Sequence, residues 1–353
     1  MNVLDLFSGC GGISLGFKLA GFKIKGGVDI DPDSVKTFQK NFLKSKAICE
    51  NLLEYNDDKI LEDFGNQEID VIVGGPPCQG FSSANRWNKE NEDPRNKLFF
   101  EYLRFVELLK PKAVVIENVR GILTRDNGFA KTRIEKLLKD LGYTVDCKVL
   151  NASDYGVPQN RLRAFFVAIR NDYKETFDFD NLSVKPKVTV KEAIGELYDL
   201  DKNPTDILTT KPQNKYLEYL RTENQEIYNH ETKYPAQLTQ ERISHVPQGG
   251  NWADIPTELF PNNRSNRHSS AFKRLDEQAC SVTIDTGNAH SNYFHPLYNR
   301  IPTVREAARI QSFKDDFVLE GSRTSQYRQV GNAVPPLLAK VVAVELLKYL
   351  NKK

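Results

Sequence analysis

Residues 3–12 read Val-Leu-Asp-Leu-Phe-Ser-Gly-Cys-Gly-Gly, an apolar run of strand length that passes directly into a glycine-rich turn. Residues 13–20 have the pattern of a helix that ends at Gly21, and residues 22–29 read as a second strand. A strand, a tight turn, a helix and another strand form the repeating unit of a parallel α/β sheet. This stretch therefore predicts the fold class.

The same alternation continues through the first half of the chain. Strand patterns occupy residues 69–73, 113–116, 143–150 and 162–169, and helix patterns occupy residues 34–42, 97–109 and 129–141. We therefore predict an α/β fold with a doubly wound, mostly parallel sheet.

The middle of the chain has a different composition. Residues 172–300 are rich in asparagine, threonine and isolated prolines and show little periodicity, whereas Pro335 and Pro336 begin a clear helical pattern. We predict a first domain over residues 1–171 and a smaller, irregular domain over residues 172–322. Residues 323–353 then return to the first domain.

Length and composition fit two folded domains. The chain has 353 residues, of which 39% are hydrophobic. At roughly 150 residues per domain, this length gives about two domains. No apolar run approaches the roughly 18 residues that a membrane helix needs, so we expect no membrane partner. The 5 cysteines include no CxxC pair, so we expect no disulfide scaffold and no metal, and we expect a cytoplasmic protein.

The overall charge does not indicate a partner. The 49 basic residues nearly balance the 47 acidic ones, which gives a net charge of +2. One stretch is locally basic, because residues 259–275 include Arg264 and Arg267 and contain no acidic residue. This stretch fits either a surface that binds phosphate groups or a solvated basic loop.

Four polar clusters follow four of the predicted strands. They occupy residues 7–12, 29–30, 74–79 and 117–118. Ligands of an open parallel sheet bind outside the carboxyl ends of its strands. If these strands are parallel, the four clusters meet along one edge, and we expect the functional site there.

The glycine-rich turn resembles a dinucleotide-binding fingerprint but fails its spacing. Gly9 and Gly11 fit the first half of GxGxxG, whereas Ser14 stands where the third glycine belongs. Asp29 follows on the next strand, where a carboxylate can accept hydrogen bonds from ribose hydroxyls, and Ile30 can pack on a purine. A nucleoside without a pyrophosphate, such as S-adenosylmethionine, fits this pattern, and so does a tight turn with no ligand.

A second cluster carries a candidate nucleophile. The two prolines before Cys78 fix the backbone outside the sheet and can present the thiol rigidly. A buried structural cysteine is the alternative. Glu117 closes another strand, where it can cap a helix or act as an acid. Together, a thiolate and an acid on one edge fit covalent catalysis on an electron-poor ring.

Six ordered motifs give the chain a family resemblance. They are DLFSGCGG at 5–12, GPPCQGFS at 75–82, ENV at 117–119, QNRLR at 159–163, REAAR at 305–309 and QVGNAVPP at 329–336. With these motifs the chain resembles the bacterial DNA (cytosine-5)-methyltransferases of restriction-modification systems. The resemblance implies the Rossmann-like fold of methyltransferases that use S-adenosylmethionine (SAM). It also implies that residues 172–322, which include the REAAR motif, form a target-recognition domain.

The resemblance assigns catalytic roles. Cys78 would attack C6 of a cytosine flipped out of a specific double-stranded DNA site, and Glu117 would protonate or hydrogen-bond N3. Arg163 would hold the cytosine O2 and orient Glu117, with Arg161 nearby on the substrate backbone. C5 would then take a methyl group from SAM, which leaves as S-adenosylhomocysteine (SAH). Base extrusion is needed because the target carbon is hidden in a stacked duplex.

The resemblance also implies binding residues. The residues implied to contact the cofactor are Phe7, Gly9, Gly11, Asp29, Ile30, Asn51, Leu52, Pro76, Leu98, Asn332 and Val334. Those implied to lie on the loop that closes over DNA are Gln79, Ser82 and Arg95, and the basic stretch adds Arg264 and Arg267. The chain departs from the family at position 51, where Asn stands in place of a common acidic residue.

Two alternatives remain. One is an RNA methyltransferase of the tRNA-acting branch, whose Cys-Phe-Thr signature is absent here, since Cys280 is followed by Ser281 and Val282. The other is a non-catalytic DNA-binding relic, which would have lost Cys78 or Glu117. The expected partner is double-stranded DNA, and we expect a monomer, functionally paired with a restriction endonuclease. The sequence does not predict the DNA site.

Overall fold

The computed structural model describes residues 1–77, 97–201, 205–260, 272–286 and 293–352. The chain divides into two compact units. The first comprises Met1–Tyr155, Leu162–Val184 and Val334–Lys353, and the second comprises Gly156–Arg161 and Lys185–Ala333. These bounds describe packing, and the functional division at residues 172 and 323 stays a prediction.

A seven-stranded sheet forms the centre of the first unit. Its strands are β1 (Asn2–Leu6), β2 (Lys23–Asp29), β3 (Lys46–Cys49), β4 (Val71–Gly74), β5 (Ala113–Val119), β6 (Tyr143–Asn151) and β7 (Leu162–Arg170). They lie in the order β3-β2-β1-β4-β5-β7-β6. All four residues of β4 are buried, as expected for an apolar strand covered on both faces.

Strands β1 to β5 are parallel to one another, whereas β7 runs antiparallel to both β5 and β6. The predicted mostly parallel α/β sheet is therefore confirmed. The antiparallel orientation of β7 relative to β6 has a local cause, because residues 152–161 connect these two strands without a crossover helix. A short connection of this kind joins antiparallel neighbours.

Helices cover this sheet. They are α1 (Gly12–Leu19), α2 (Pro32–Asn41), α3 (Asp57–Ile60), α4 (Lys97–Leu109) and α5 (Phe129–Asp140). Helix α2 begins at Asp31, whose side chain accepts a hydrogen bond from the Ser34 N–H, with Pro32 at the first helical position.

The second unit contains only short elements among its described residues. They are α6 (Val190–Ile194), α7 (Lys215–Leu220), α8 (Gln237–Ser244), the parallel pair β8 (Lys273–Arg274) and β9 (Tyr293–Phe294), α9 (Val304–Ile310) and α10 (Arg323–Asn332). A capping box of Thr303 and Glu306 begins α9, all of whose residues are buried.

The last helix, α11 (Pro336–Leu350), belongs to the first unit and packs against α1. A Cβ atom on Gly16 would lie 2.5 Å from the Cβ of Ala339, so the two helices approach closely only because residue 16 is glycine. The stretch Arg323–Leu350 has the length and hydropathy of a membrane span, but it consists of two helices and 67% of its apolar window is buried. It is weak evidence for a span, since core helices meet the same criteria.

Candidate active site

The carboxyl ends of four strands lie side by side in the first unit. Leu6 at the end of β1 is opposite Val28 of β2 and Gly74 of β4, and Gly74 is opposite Ile116 of β5. The loops that follow β1, β2, β4 and β5 therefore leave the sheet along one edge, as the sequence predicts. This edge is the candidate active site.

The loop after β1 has a left-handed backbone. Phe7, Gly9 and Gly11 have φ angles of 58°, 51° and 94°. Phe7 is partly buried and packs on the core. A Cβ atom on Gly11 would lie 2.5 Å from the Phe42 ring, so this position needs glycine for both backbone angle and space.

Asp29 ties the end of β2 to this loop. Its Oδ2 accepts from the Gly9 N–H at 2.7 Å, and its Oδ1 accepts from the Asp31 N–H at 2.9 Å. Burial raises the pKa of Asp29. Each carboxylate oxygen has a second lone pair, so both oxygens can still accept from ribose hydroxyls. The adjacent Ile30 is 67% exposed, which leaves an apolar side chain available to a ligand.

Asn51 has a local structural role. Its side chain accepts from the Leu53 N–H at 3.1 Å and lies 3.3 Å from the Glu54 carboxylate, so it caps a short turn. Leu52 beside it is buried. The predicted contact of Asn51 with the cofactor adenine stays a prediction.

Asp5 in β1, which the sequence did not predict as a site residue, is a buried carboxyl group beside the site. Asp5 is 0% exposed, and its Oδ2 accepts from the Ser14 hydroxyl at 2.7 Å. Asp5 Oδ1 and the Ser8 hydroxyl have no hydrogen-bond partner among the described residues. A single aspartate within an apolar run was the signal that could have revealed it. Two unpartnered polar atoms beside the glycine loop fit a polar cofactor held by this loop.

Glu117 and Arg163 form the charged pair of the edge. Glu117 Oε1 lies 2.9 Å from Arg163 Nε, and the two side chains are 12% and 17% exposed. Val119 is directly opposite Arg163, which places Glu117, two residues earlier, on the same face of the sheet. The geometry therefore agrees with the predicted orientation of Glu117 by Arg163.

The chain after β4 is held against β5. The Asn118 amide donates to the Pro76 carbonyl at 2.8 Å, and Pro76 is buried. A Cβ atom on Gly75 would lie 3.1 Å from Glu117 Oε2, so the chain passes close to the carboxylate here. Cys78 follows two residues after Pro76. Cys78, Gln79, Ser82 and Arg95 lie outside the described residues.

Arg161 has surroundings that the sequence did not predict. It is 0% exposed, and its guanidinium donates to the carbonyls of Ile284 and Gly331 at 2.9 and 2.8 Å. The neighbouring Gln159 accepts from the Ile284 N–H and donates to Gln311. These bonds join the QNRLR and QVGNAVPP motifs inside the second unit. Both terminal nitrogens of Arg161 thus donate to buried carbonyls, and its predicted contact with a substrate backbone stays a prediction.

The predicted basic stretch is described only at residues 259–260 and 272–275. Arg264 and Arg267 lie outside the described residues. Arg274 is buried and donates to backbone carbonyls that include those of Val246, Pro296 and Leu297. Arg274 therefore stabilises the second unit and is not available to phosphate groups.

The remaining predicted cofactor residues occupy different elements. Leu98 is the second residue of α4 and packs on the core of the first unit. Asn332 ends α10 and is exposed, whereas Val334 is buried. No group of three or more His, Cys, Asp or Glu side chains suited to a metal occurs in the part of the chain that is described.

The sheet order and the loops at its carboxyl edge define a Rossmann-like fold with a ligand site. Residues 1–348 match the family model described as C-5 cytosine-specific DNA methylase, so the chain belongs to this family. Membership shows a SAM-dependent enzyme that methylates cytosine in DNA and confirms the predicted family.

Relatives agree over nearly the full length. The chain is 39% identical over 349 residues to the Type II methyltransferase M1.HphI of Haemophilus parahaemolyticus, covering 99% of this chain and 87% of that protein. It is 35% identical to the Type II methyltransferase M.DdeI of Desulfomicrobium norvegicum, covering 99% and 89%. A crystal structure assigned as a DNA modification methyltransferase from an E. coli prophage superimposes with a TM-score of 0.81 at 29% identity, covering 100% of both chains.

Proposed function

We propose that this protein methylates C5 of a cytosine flipped out of a specific double-stranded DNA site, through a covalent bond between Cys78 and C6. The observation that carries the proposal is the Glu117–Arg163 pair of 2.9 Å at the carboxyl edge of the sheet. A carboxyl group held by a guanidinium offers two adjacent hydrogen-bonding groups to one edge of a pyrimidine.

The second support is the path of the chain toward the nucleophile. Asn118 immediately follows the acid and holds the Pro76 carbonyl, so the strand that carries Glu117 also fixes the start of the Cys78 loop. Nucleophile and acid must act on one ring, which requires both groups to be held near the same position.

The residues would then act in a balanced sequence. The Cys78 thiolate forms a bond to C6, and the electron pair moves toward C5 while Glu117 gives a proton or hydrogen bond to N3. When bound, SAM supplies an electrophilic methyl group to C5. When the C5 proton is lost to a base, its electron pair forms the C5–C6 double bond again, the bond between C6 and sulfur breaks and the Cys78 thiolate leaves. The proton on N3 returns to Glu117. Arg163 binds O2 and keeps Glu117 in place.

The glycine loop and its neighbours would hold SAM. Asp29 would accept from the ribose, and Ile30 would cover the adenine with its exposed side chain. The other residues proposed to contact the cofactor are Phe7, Gly9, Gly11, Asn51, Leu52, Pro76, Leu98, Asn332 and Val334. The two unpartnered polar atoms beside the loop, on Asp5 and Ser8, support this assignment.

Target recognition is assigned to residues 172–322. Irregular segments carried by a rigid framework commonly hold recognition residues. We propose that Gln79, Ser82, Arg95, Arg264 and Arg267 contact DNA. The relatives are named Type II methyltransferases, so we propose that the protein is the modification enzyme of a restriction-modification pair. A monomeric, cytoplasmic protein stays a prediction from the sequence.

Bisulfite sequencing tests the reaction. Unmethylated DNA incubated with the purified protein and SAM should acquire 5-methylcytosine at one recurring sequence. Duplex DNA with 5-fluorocytosine at that position should then trap the protein covalently, because the fluorine cannot leave as a proton does.

The Cys78→Ala variant is the matched control. It should bind SAM normally and form no covalent complex. Continued trapping by this variant would overturn the assignment of the nucleophile. Methylation of transcribed tRNA but not of duplex DNA would favour the RNA-modifying alternative, and SAM binding without any methylation would favour the relic.

A further inference from the structure

Asp5 is a buried charge beside the cofactor loop. It is 0% exposed and lies between the buried residues Leu4 and Leu6 in β1. Its Oδ2 accepts from the Ser14 hydroxyl at 2.7 Å, while Oδ1 has no hydrogen-bond partner among the residues described. An isolated carboxylate in such a position is costly unless another interaction compensates for its burial.

Asp5 also fixes the loop. Helix α1 starts after Gly11, which provides no side-chain cap, and Ser14 is in its first turn. Asp5 reaches Ser14 from the preceding strand and so anchors the helix end of the loop. Asp29 anchors the middle of the loop through Gly9. The loop is therefore held by two carboxyl groups, one facing the proposed ribose position and one buried beneath it.

The pKa of Asp5 lies near neutral pH. The pKa of Asp5 is raised to about 7, chiefly by burial. The hydroxyl and N–H of Ser14 act to lower this pKa, and the nearby Asp29 on β2 acts to raise it. The charge of Asp5 also affects the pKa values of two other titratable groups, which are Cys10 in the loop and Tyr102 on α4. Burial raises the pKa of Cys10 to about 12 and that of Tyr102 well above its usual value, so both stay neutral near pH 7.

We propose that Asp5 is a positioning residue of the cofactor site whose ionisation is coupled to the positive charge of SAM. The inference rests on the proposed placement of SAM at the glycine loop. SAM carries a sulfonium cation that SAH lacks, while the two molecules share every other charged group. A cation and a buried anion attract each other more strongly in a protein than in water. Bound SAM therefore favours ionised Asp5, and ionised Asp5 favours SAM over SAH.

The test is the ratio of the two affinities as pH changes. Calorimetry on the full chain would give the dissociation constants of SAM and SAH at pH 6, 7 and 8. With a pKa of about 7, Asp5 should be mostly neutral at pH 6 and mostly ionised at pH 8. The preference for SAM over SAH should thus rise with pH. A coupling of one pKa unit corresponds to a rise of about tenfold. Titrations of SAM in two buffers at pH 6.5 should also show proton release that is absent with SAH.

Three variants separate the effect of Asp5 on the SAM-to-SAH preference from the effects of Ser14 and Asp29. Asp5→Asn keeps the shape but cannot ionise, so its SAM-to-SAH preference should not change with pH. Ser14→Ala removes a hydrogen bond that lowers the pKa of Asp5, so the rise should move to higher pH. Asp29→Asn should weaken both ligands and keep the rise. Thermal unfolding would show that each variant is folded, and if Asp5→Asn does not fold, the shift in Ser14→Ala carries the test.

Two results would overturn the inference. One is a wild-type preference that does not change with pH, and the other is a rise that persists in Asp5→Asn. A protein that gives either result and still methylates cytosine leaves the proposed function intact. A protein that binds neither SAM nor SAH contradicts both the inference and the proposed function.

Discussion

The carboxyl edge of the first unit and the interior of the second unit both contain arginines, and their surroundings differ. Arg163 at the edge meets Glu117, and both side chains keep part of their surface exposed. Arg309 in α9 is 0% exposed and meets Asp315 through two parallel bonds of 2.8 and 2.7 Å. Arg305 in the same helix donates to the carbonyls of Tyr228 and Lys314, and burial lowers its pKa to about 10.

The arginines of the two regions differ in how much of their surface and hydrogen-bonding capacity remains available to a ligand. A buried arginine whose donors already meet carboxylates or carbonyls stabilises the chain around it and has little capacity for a new partner. Arg163 and Glu117 keep accessible surface at a strand end, where ligands of such sheets bind. The residue type is therefore a poor guide to function in this protein, and the partners and the exposure of each side chain are better guides.

The largest effect should follow from Glu117→Gln. The amide keeps the size of the side chain but loses the ionisable group, and loss of general acid catalysis lowers rates by about 10²- to 10⁴-fold. Methyl transfer to a duplex substrate would be measured together with thermal stability, which should change little. The matched control is Glu107→Gln, an exposed carboxylate on α4. Equal activity of the two variants would remove the catalytic half of the comparison.

Arg309→Ala should affect stability more than chemistry. It leaves the buried Asp315 without its guanidinium partner, whereas Glu196 keeps Arg221. Breaking a buried pair in this way costs about 3–5 kcal/mol. Urea unfolding would measure the loss, with Arg120→Ala as an exposed arginine control expected to stay within about 0.5 kcal/mol of wild type. If the free energy of unfolding falls no more than in the control, the stability of the second unit does not depend on its buried ion pairs.

Asp29→Ala tests whether the carboxyl edge of the first unit binds the cofactor. It removes the proposed ribose acceptor together with the tie to the Gly9 N–H. A lost hydrogen bond to a charged group costs about 1–3 kcal/mol, so SAM should bind more weakly by this amount in calorimetry. Asp58→Ala, an exposed carboxylate in α3, should leave the affinity unchanged. Unchanged affinity in Asp29→Ala would mean that the glycine loop has another purpose.

Local patterns made the first unit predictable. Apolar runs of strand length, glycine turns and helical spacing depend on neighbouring residues, so the sequence predicted α4, the loop at Gly9 and the common edge that holds Asp29 and Glu117. Strand β3 and helix α3 were missed because both have only four residues. The antiparallel β7 was not distinguished from a parallel strand, because both orientations show the same apolar run.

Burial of charge was the property that the sequence did not reveal. Arg161, predicted to lie near the substrate backbone, and Arg274, in the basic stretch, both donate to carbonyls distant in sequence. Asp5 was overlooked because its low exposure results from packing on all sides and not from its sequence neighbours. Whether a charge is free depends on contacts across more than 100 residues, such as the bond between Arg161 and Gly331. Local composition does not encode such contacts.

The smallest effect is expected from the basic stretch. If Arg264 and Arg267 contact DNA phosphates, the second unit also has arginines that act on a ligand. Replacing both with Ala should then weaken binding to cognate and scrambled duplexes alike. The salt dependence should flatten by about one unit for each lost phosphate contact.

A salt titration on both duplexes separates the possible roles. An arginine that reads guanine would instead cost about 1–3 kcal/mol on the cognate duplex alone, because the scrambled duplex lacks the base it recognises. Lys215→Ala, an exposed cation of α7, is the control for a general loss of positive charge. If the double variant behaves like this control, the basic stretch is a solvated loop. Recognition would then have to be sought in other parts of the irregular region.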